Sequence, residues 1–216
     1  MTFDATVFDL DGLLVDSETV WNDARREFAA ERGVNWTAED HAAVMGVATH
    51  EWVRFMDERL GLSDMSAGQI ERVIVDRVAT VYESQIPFLP GAVEIVRAAE
   101  AAGPVAIASG SVRRLIDLVV AHPELEGIFG VIVSADEVAR GKPSPDVYLE
   151  AARRLGVRPE DCVCLEDSGN GIRAGKAAGM RVVAVPDPRY APSADALALA
   201  DEVVASLDEA KALLFP

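Results

Sequence analysis

Two aspartates one residue apart, Asp9 and Asp11 in FDLDG, project from the same side of an extended chain, and Gly12 lets the chain turn straight after them. Such a pair also serves turns and helix caps, so its meaning depends on what meets it. Ser109 in ASGS offers a hydroxyl, and Gly110 and Ser111 beside it offer backbone N–H groups, a set that either holds an oxyanion or merely turns a strand into a helix. Lys142 in GKPSP stands just before a helical stretch, as a solvated lysine or as a fixed positive charge. Glu166-Asp167-Ser168 follow CVCL and precede GNGIRAGKAAG; a helix N-cap accounts for Asp167 or Ser168 and leaves Glu166 unexplained. Capping alone does not explain two acidic clusters, a hydroxyl and a lysine at one edge. Four carboxylates at close quarters cannot all stay ionised without a cation, and hard oxygen donors at an open site suit Mg²⁺ rather than zinc or copper. A divalent ion beside a carboxylate, a hydroxyl and a lysine suits phosphoryl transfer, where catalysis is mostly positioning and charge neutralisation.

The elements that must position these groups follow from hydropathy. ATVFDLD, Gly103–Ser109, Gly130–Ser134, Cys162–Glu166 and Met180–Pro186 are short apolar runs that end in polar or turn residues, as buried parallel strands do. Amphipathic stretches of helical length lie between them. Ala92 to Ala102 closes at Gly103, and Ser144 to Leu155 closes at Gly156, with Ser144 placed to cap, Pro145 in the first helical position, and Val147, Tyr148, Ala151 and Leu155 on one face. Alternating strands and helices predict a doubly wound parallel α/β sheet with its ligand beyond the carboxyl ends of the strands. From residue 15 to residue 86 the alternation breaks. Val20, Ala24 and Phe28 form a helical stripe before Gly33, and Ala42–Val47, His50–Leu60 and Ala67–Glu83 read as further helices, before Pro87 and Pro90-Gly91 restore the α/β pattern. The expected organisation is a core domain of residues 1–14 and 87–216 with a helical domain of residues 15–86 inserted after the first strand. Tyr190–Ala200, rich in alanine, reads as an exposed loop.

Composition narrows the partners. The 216 residues carry 20 Lys+Arg against 36 Asp+Glu, a formal charge of −16 that repels phosphate backbones and anionic lipid, so neither nucleic acid nor a membrane surface is expected. No apolar run approaches the ~20 residues that span a bilayer, and MTFDATVFD lacks a basic leader, which predicts a cytoplasmic protein. Cys162 and Cys164, two apart, read as buried thiols rather than a staple, and His41 and His122 as structural or surface residues.

FDLDGLLVDSE, ASGS, GKPSPDVY and LEDSGNGIRAGKAAGM together resemble the four ordered motifs of the haloacid dehalogenase superfamily of phosphatases and phosphomutases, over nearly the whole chain. The helical insert is similar to the small cap of the branch that contains β-phosphoglucomutase and sugar-phosphate phosphatases. The resemblance implies that Asp9 attacks phosphorus to form an aspartyl-phosphate, while Asp11 protonates the leaving oxygen and then activates water. It also implies that Mg²⁺ is the cofactor, held by Asp9, by the backbone carbonyl of Asp11 and by Asp167, with Glu166 supporting it directly or through water. By the same carry-over Ser109 binds a phosphoryl oxygen and Lys142 neutralises both phosphate and nucleophile. A carbon-directed dehalogenase would need neither Asp11 nor the Glu166-Asp167 pair, and a phospho-receiver module would be shorter and lack the insert. Family mutases place a histidine early in the cap and an arginine just after a Gly-Val pair. Here Trp21 stands near the first position, and Gly46-Val47 is followed by Ala48-Thr49-His50. The expectation is a monomeric phosphatase of a small phosphorylated metabolite, of sugar- or polyol-phosphate class, with a sugar phosphomutase as the alternative. Trp21, His50 and Arg54, and beside them Trp52, Arg72 and Arg77, are the cap residues that could bind substrate.

Overall fold

A computed structural model describes residues 3–44 and 49–216. The chain divides into two units, one of Met1–Asp16 with Pro87–Pro216 and one of Ser17–Ile86. In the first, strands β1 (Ala5–Phe8), β2 (Val105–Ser109), β3 (Val131–Ser134), β4 (Cys162–Glu166), β5 (Arg181–Ala184) and β6 (Glu202–Val203) pair in parallel in the order β3-β2-β1-β4-β5-β6. β1, β2 and β4 are buried along their whole length, as continuous apolar runs in a sheet covered on both faces must be. The strand order reverses beside β1, the place where such a sheet opens a crevice at its carboxyl edge.

Strand periodicity decides which site residues share a face. Ala5 and Val7 on β1, Ala106 and Ala108 on β2, and Cys162 and Cys164 on β4 bury one face against Val147, Tyr148, Ala151 and Ala152 of a helix over Asp146–Leu155 and Ile172 of a helix over Gly169–Ala177. The period of two continues that face to Asp9 and Glu166 at the strand ends. Phe8 pairs with Leu165, and the Asp9 amide donates to the Leu165 carbonyl at 3.1 Å, so the ladder itself sets the aspartate beside β4. Helices over Ala92–Ala102, Arg113–Val120 and Leu207–Leu214 complete this unit with the short helix Ala194–Leu197.

The second unit consists of helices over Ser17–Ala30, Ala38–Val44, Thr49–Leu60 and Ala67–Ser84, and its described residues hold no strand. Val20, Ala24 and Phe28 form the buried stripe of the first helix, with Trp52, Met56, Ile70, Ile74 and Val78 buried on its neighbours. The helix expected over Ala42–Val47 starts at Ala38, and residues 45–48, with the Gly46-Val47 pair, lie outside the described residues.

Two local expectations need correction, and one element went unseen. The helix expected from Ser144 starts at Asp146 with Pro145 in the cap position, because the Ser144 hydroxyl is engaged by the Asp146 carboxylate at 2.6 Å instead of by backbone N–H groups. Tyr190–Ala200 is not wholly an exposed loop: Ser193 caps the Ala194–Leu197 helix and Ala196 is buried. β6 escaped the hydropathy reading because two residues carry no periodicity. Both cysteines are buried and unbridged. Among the described residues no helix is long and apolar enough to cross a membrane.

Candidate active site

Three of the four polar clusters of the α/β unit sit where a strand stops, and the fourth, Lys142, reaches them from a loop. Asp9 follows β1, Ser109 ends β2, and Glu166 ends β4 with Asp167 next. Asp9, Glu166 and Asp167 each offer a carboxylate oxygen within 4.8 Å of the others. The Lys142 ammonium lies between two of them, donating to Asp9 Oδ1 at 2.5 Å and to Glu166 Oε1 at 2.6 Å. Its loop is braced at the start of the following helix, where the Asp146 carboxylate accepts from the Ser144 hydroxyl at 2.6 Å and from Arg140 at 3.1 Å.

Two glycines make room for this cluster. Gly12 adopts φ +77°, which favours glycine, and any Cβ there would run into the Asp167 carboxylate. Gly171, in the first turn of its helix, lies so close to Glu166 that a Cβ would overlap the carboxylate itself. Ser168 caps the same helix, its Oγ accepting from the Gly171 amide at 3.0 Å, while its own amide and hydroxyl donate to Glu166 Oε2 at 3.2 and 3.1 Å.

On the other side of β1, the Ser109 hydroxyl donates to Asp11 Oδ2 at 3.0 Å and accepts from the Ser111 amide at 2.9 Å. Ser111 is held in turn by the buried Ser134 hydroxyl, which donates to its carbonyl at 2.7 Å. Gly110 is exposed at the strand end. The Asp11 side chain therefore belongs with Ser109 and Ser111 rather than with the three clustered carboxylates.

Burial shapes the charges. Asp9 is 5% exposed and Glu166 not at all. Burial raises the Asp9 carboxyl to about 8 against the pull of Lys142, with the charges of Glu166 and Asp11 adding to the rise. Asp167 is likewise held well above the usual carboxylate range by burial and by the charges of Glu166 and Asp9. Burial disfavours the Lys142 ammonium, yet Asp9 and Glu166 outweigh it and keep the lysine charged. Three ionised carboxylates would outnumber the one ammonium by two charges, which is why burial holds protons on Asp9 and Asp167 in the absence of a cation, and Asp167 Oδ1 is buried with no hydrogen-bond partner. That orphaned oxygen and the all-oxygen donor set fit a hard divalent cation such as Mg²⁺.

The candidates in the helical unit are not drawn together in this way. His50 and Arg54 are exposed, and Arg54 pairs loosely with Glu58 at 4.0 Å. Arg72 is exposed, and Arg77 is bound to Glu31 at 2.6 Å. Trp21 packs on buried Trp52 with ring centroids 5.9 Å apart. Between them sequence reasoning missed Arg25, 5% exposed, its guanidinium 5.0 Å from the Trp21 ring and 5.3 Å from the Trp52 ring. Burial pushes it down to about 10, and its Nε has no hydrogen-bond partner. The signal was present: an arginine four residues after Trp21, beside Ala24 in an otherwise apolar stripe. Also missed was the Tyr148 hydroxyl, read only as helix core.

Comparison with known proteins agrees with the geometry. A family model for haloacid dehalogenase-like hydrolases matches residues 3–179. Hexitol phosphatase B of Escherichia coli (strain K12) is 35% identical over 207 residues, 95% of this chain and 93% of that protein. Fructose-1-phosphate phosphatase YqaB of the same organism is 32% identical over 179 residues, 83% and 94% of the two chains. Among solved structures, CbbY from Rhodobacter sphaeroides in complex with phosphate superposes with a TM-score of 0.84 at 29% identity, covering 96% of each chain. The chain belongs to the haloacid dehalogenase-like hydrolases.

Proposed function

We propose that the protein is a Mg²⁺-dependent phosphatase that hydrolyses a small phosphorylated metabolite of the sugar- or polyol-phosphate class through an aspartyl-phosphate on Asp9. The observation that carries this reading is the Asp9 carboxylate, set at the end of β1 against Lys142 and within reach of Asp167 and Glu166. A carboxylate is a weak nucleophile toward a phosphate dianion until cations cut the repulsion, and Lys142 supplies one positive charge at that oxygen pair. Asp9 and Asp167 would hold Mg²⁺, with Asp11 adding its backbone carbonyl. When bound, the ion neutralises charge on the transferring phosphoryl group.

In the first step an Asp9 oxygen attacks phosphorus, the bond from phosphorus to the leaving oxygen breaks, and Asp11 gives that oxygen its proton. In the second, Asp11 takes a proton from water, the water oxygen attacks the same phosphorus, and inorganic phosphate leaves Asp9 as a free carboxylate. Ser109, with the amides of the Gly110-Ser111 turn, is suited to hold a phosphoryl oxygen and to orient Asp11. Names of relatives support the substrate class: one is a hexitol phosphatase and one a fructose-1-phosphate phosphatase. We place the enzyme in the cytoplasm as a monomer, a reading with which the two buried free thiols agree.

A phosphate-release screen over phosphorylated sugars, polyols and nucleotides with Mg²⁺ tests the activity, and sugar or polyol phosphates should lead it. Incubation with β-glucose-1-phosphate and a trace of the 1,6-bisphosphate tests the acceptor. Free phosphate is the expected product, and rapid glucose-6-phosphate with little free phosphate would make the enzyme a mutase.

A further inference from the structure

Glu166 is fully enclosed in the site. It is 0% exposed, and its two oxygens accept four donors: Lys142 and the Tyr148 hydroxyl on Oε1, and the amide and hydroxyl of Ser168 on Oε2. A carboxylate so occupied has little left to offer an ion, although it stands within 4.8 Å of the Asp9 and Asp167 oxygens. The Tyr148 contribution is unlike the others. Its hydroxyl donates to Oε1 at 2.6 Å, on the same oxygen that Lys142 uses, and its ring face lies 4.9 Å from the Lys142 ammonium. One buried side chain therefore touches both members of the pair that reaches Asp9. The cause lies in chain periodicity. Glu166 shares the β4 face with Cys162 and Cys164, and Tyr148 packs against that face in the same core cluster.

We propose that Tyr148 is a positioning residue of the reaction, holding Glu166 as the counter-ion of Lys142 and so keeping the ammonium on Asp9 and the Glu166 charge away from the metal. This rests on the reading of Asp9 and Asp167 as holders of Mg²⁺. Tyr148→Phe removes the hydroxyl and keeps the ring that the core packs around. Oε1 then loses one of its two donors and becomes available to the ion, while Lys142 loses a fixed partner. The variant should bind Mg²⁺ more tightly and turn over more slowly, a pairing of opposite signs that simple loosening of the core would not produce.

The test is isothermal titration of wild type and Tyr148→Phe with Mg²⁺, alongside kcat and KM for p-nitrophenyl phosphate and a thermal melt of each protein. The expected result is a lower Mg²⁺ dissociation constant, with kcat down by about tenfold and KM within about twofold. An unchanged or weaker Mg²⁺ affinity overturns the proposal, as does an unchanged kcat. A wild-type protein that binds no Mg²⁺ overturns the metal reading as well, which separates the two failures.

Discussion

The strand ends of the α/β unit and the surface of the helical unit treat their polar groups in opposite ways. At the strand ends nearly every polar atom is committed: Lys142 to Asp9 and Glu166, Ser109 to Asp11, Ser168 to Glu166, Ser134 to Ser111. In the helical unit His50 and Arg54 face solvent, and buried Arg25 lies against two indole rings with the Glu18 charge near it. Chemistry is over-determined by the sheet, because register and strand parity fix which side chains meet. An all-helical surface is under no such constraint, since a helix can exchange exposed residues without disturbing the core.

The contrast predicts large effects at the strand ends and small ones on the helices. Asp9→Asn should lower turnover by on the order of 10⁴-fold or more, because the amide that replaces the carboxylate cannot take the phosphoryl group; the readout is phosphate release after deamidation has been excluded. Lys142→Met should cost about 10²–10³-fold in kcat through loss of charge at the nucleophile. The same substitution leaves Asp9 and Glu166 buried without their partner, so stability should fall by about 3 kcal/mol, roughly 6–12 °C in Tm for a chain of this size. A Lys142→Met protein as stable as wild type would mean that the pairing seen at the strand ends is incidental.

A third prediction concerns pH and metal. In the metal-free protein the Asp9 pKa is raised from 3.8 to about 8 by burial, so the folded state holds that proton more tightly than the unfolded chain does. Its contribution to stability is then fully present below about pH 4 and is lost as pH rises through about 8. Mg²⁺ replaces the proton as counter-charge, so the rise in Tm that Mg²⁺ produces should be larger at pH 8 than at pH 5. Melts at both pH values with and without the ion check this, and an equal rise at the two would count against Asp9 as a metal holder. The smallest effect belongs to the helices: Arg54→Ala should leave Tm within about 2 °C, since an exposed pair at 4.0 Å contributes little.

The sequence was most legible where types and spacing were constrained by a strand end. Most of Asp9, Asp11, Ser109, Lys142, Glu166 and Asp167 admit a turn, cap or solvated reading when taken alone, and they could be picked out because the clusters fall together at one edge of the expected sheet. The doubly wound sheet followed from the same alternation. Tyr148 was illegible because its hydroxyl has meaning only through parity: Glu166 lies on the face of Cys162 and Cys164 that the Tyr148 helix covers. Reading Tyr148 as core was correct for its ring and silent about its oxygen. Arg25 escaped for a related reason, since a long side chain in an apolar stripe is usually taken to reach solvent. Here two indole faces enclose it. The two-residue β6 and the offset start of the Asp146–Leu155 helix lie below what hydropathy resolves.

The central claim is that Asp9 carries the phosphoryl group between substrate and water. Acid quenching of enzyme mixed with Mg²⁺ and its best substrate, followed by borohydride reduction and peptide mass spectrometry, tests it most directly, because hydride converts an acyl-phosphate to an alcohol and leaves a free carboxylate untouched. The account predicts homoserine at position 9, lost in Asp9→Asn and dependent on Mg²⁺. Steady turnover with Asp9 unmodified, or reduction at another carboxylate, would contradict it.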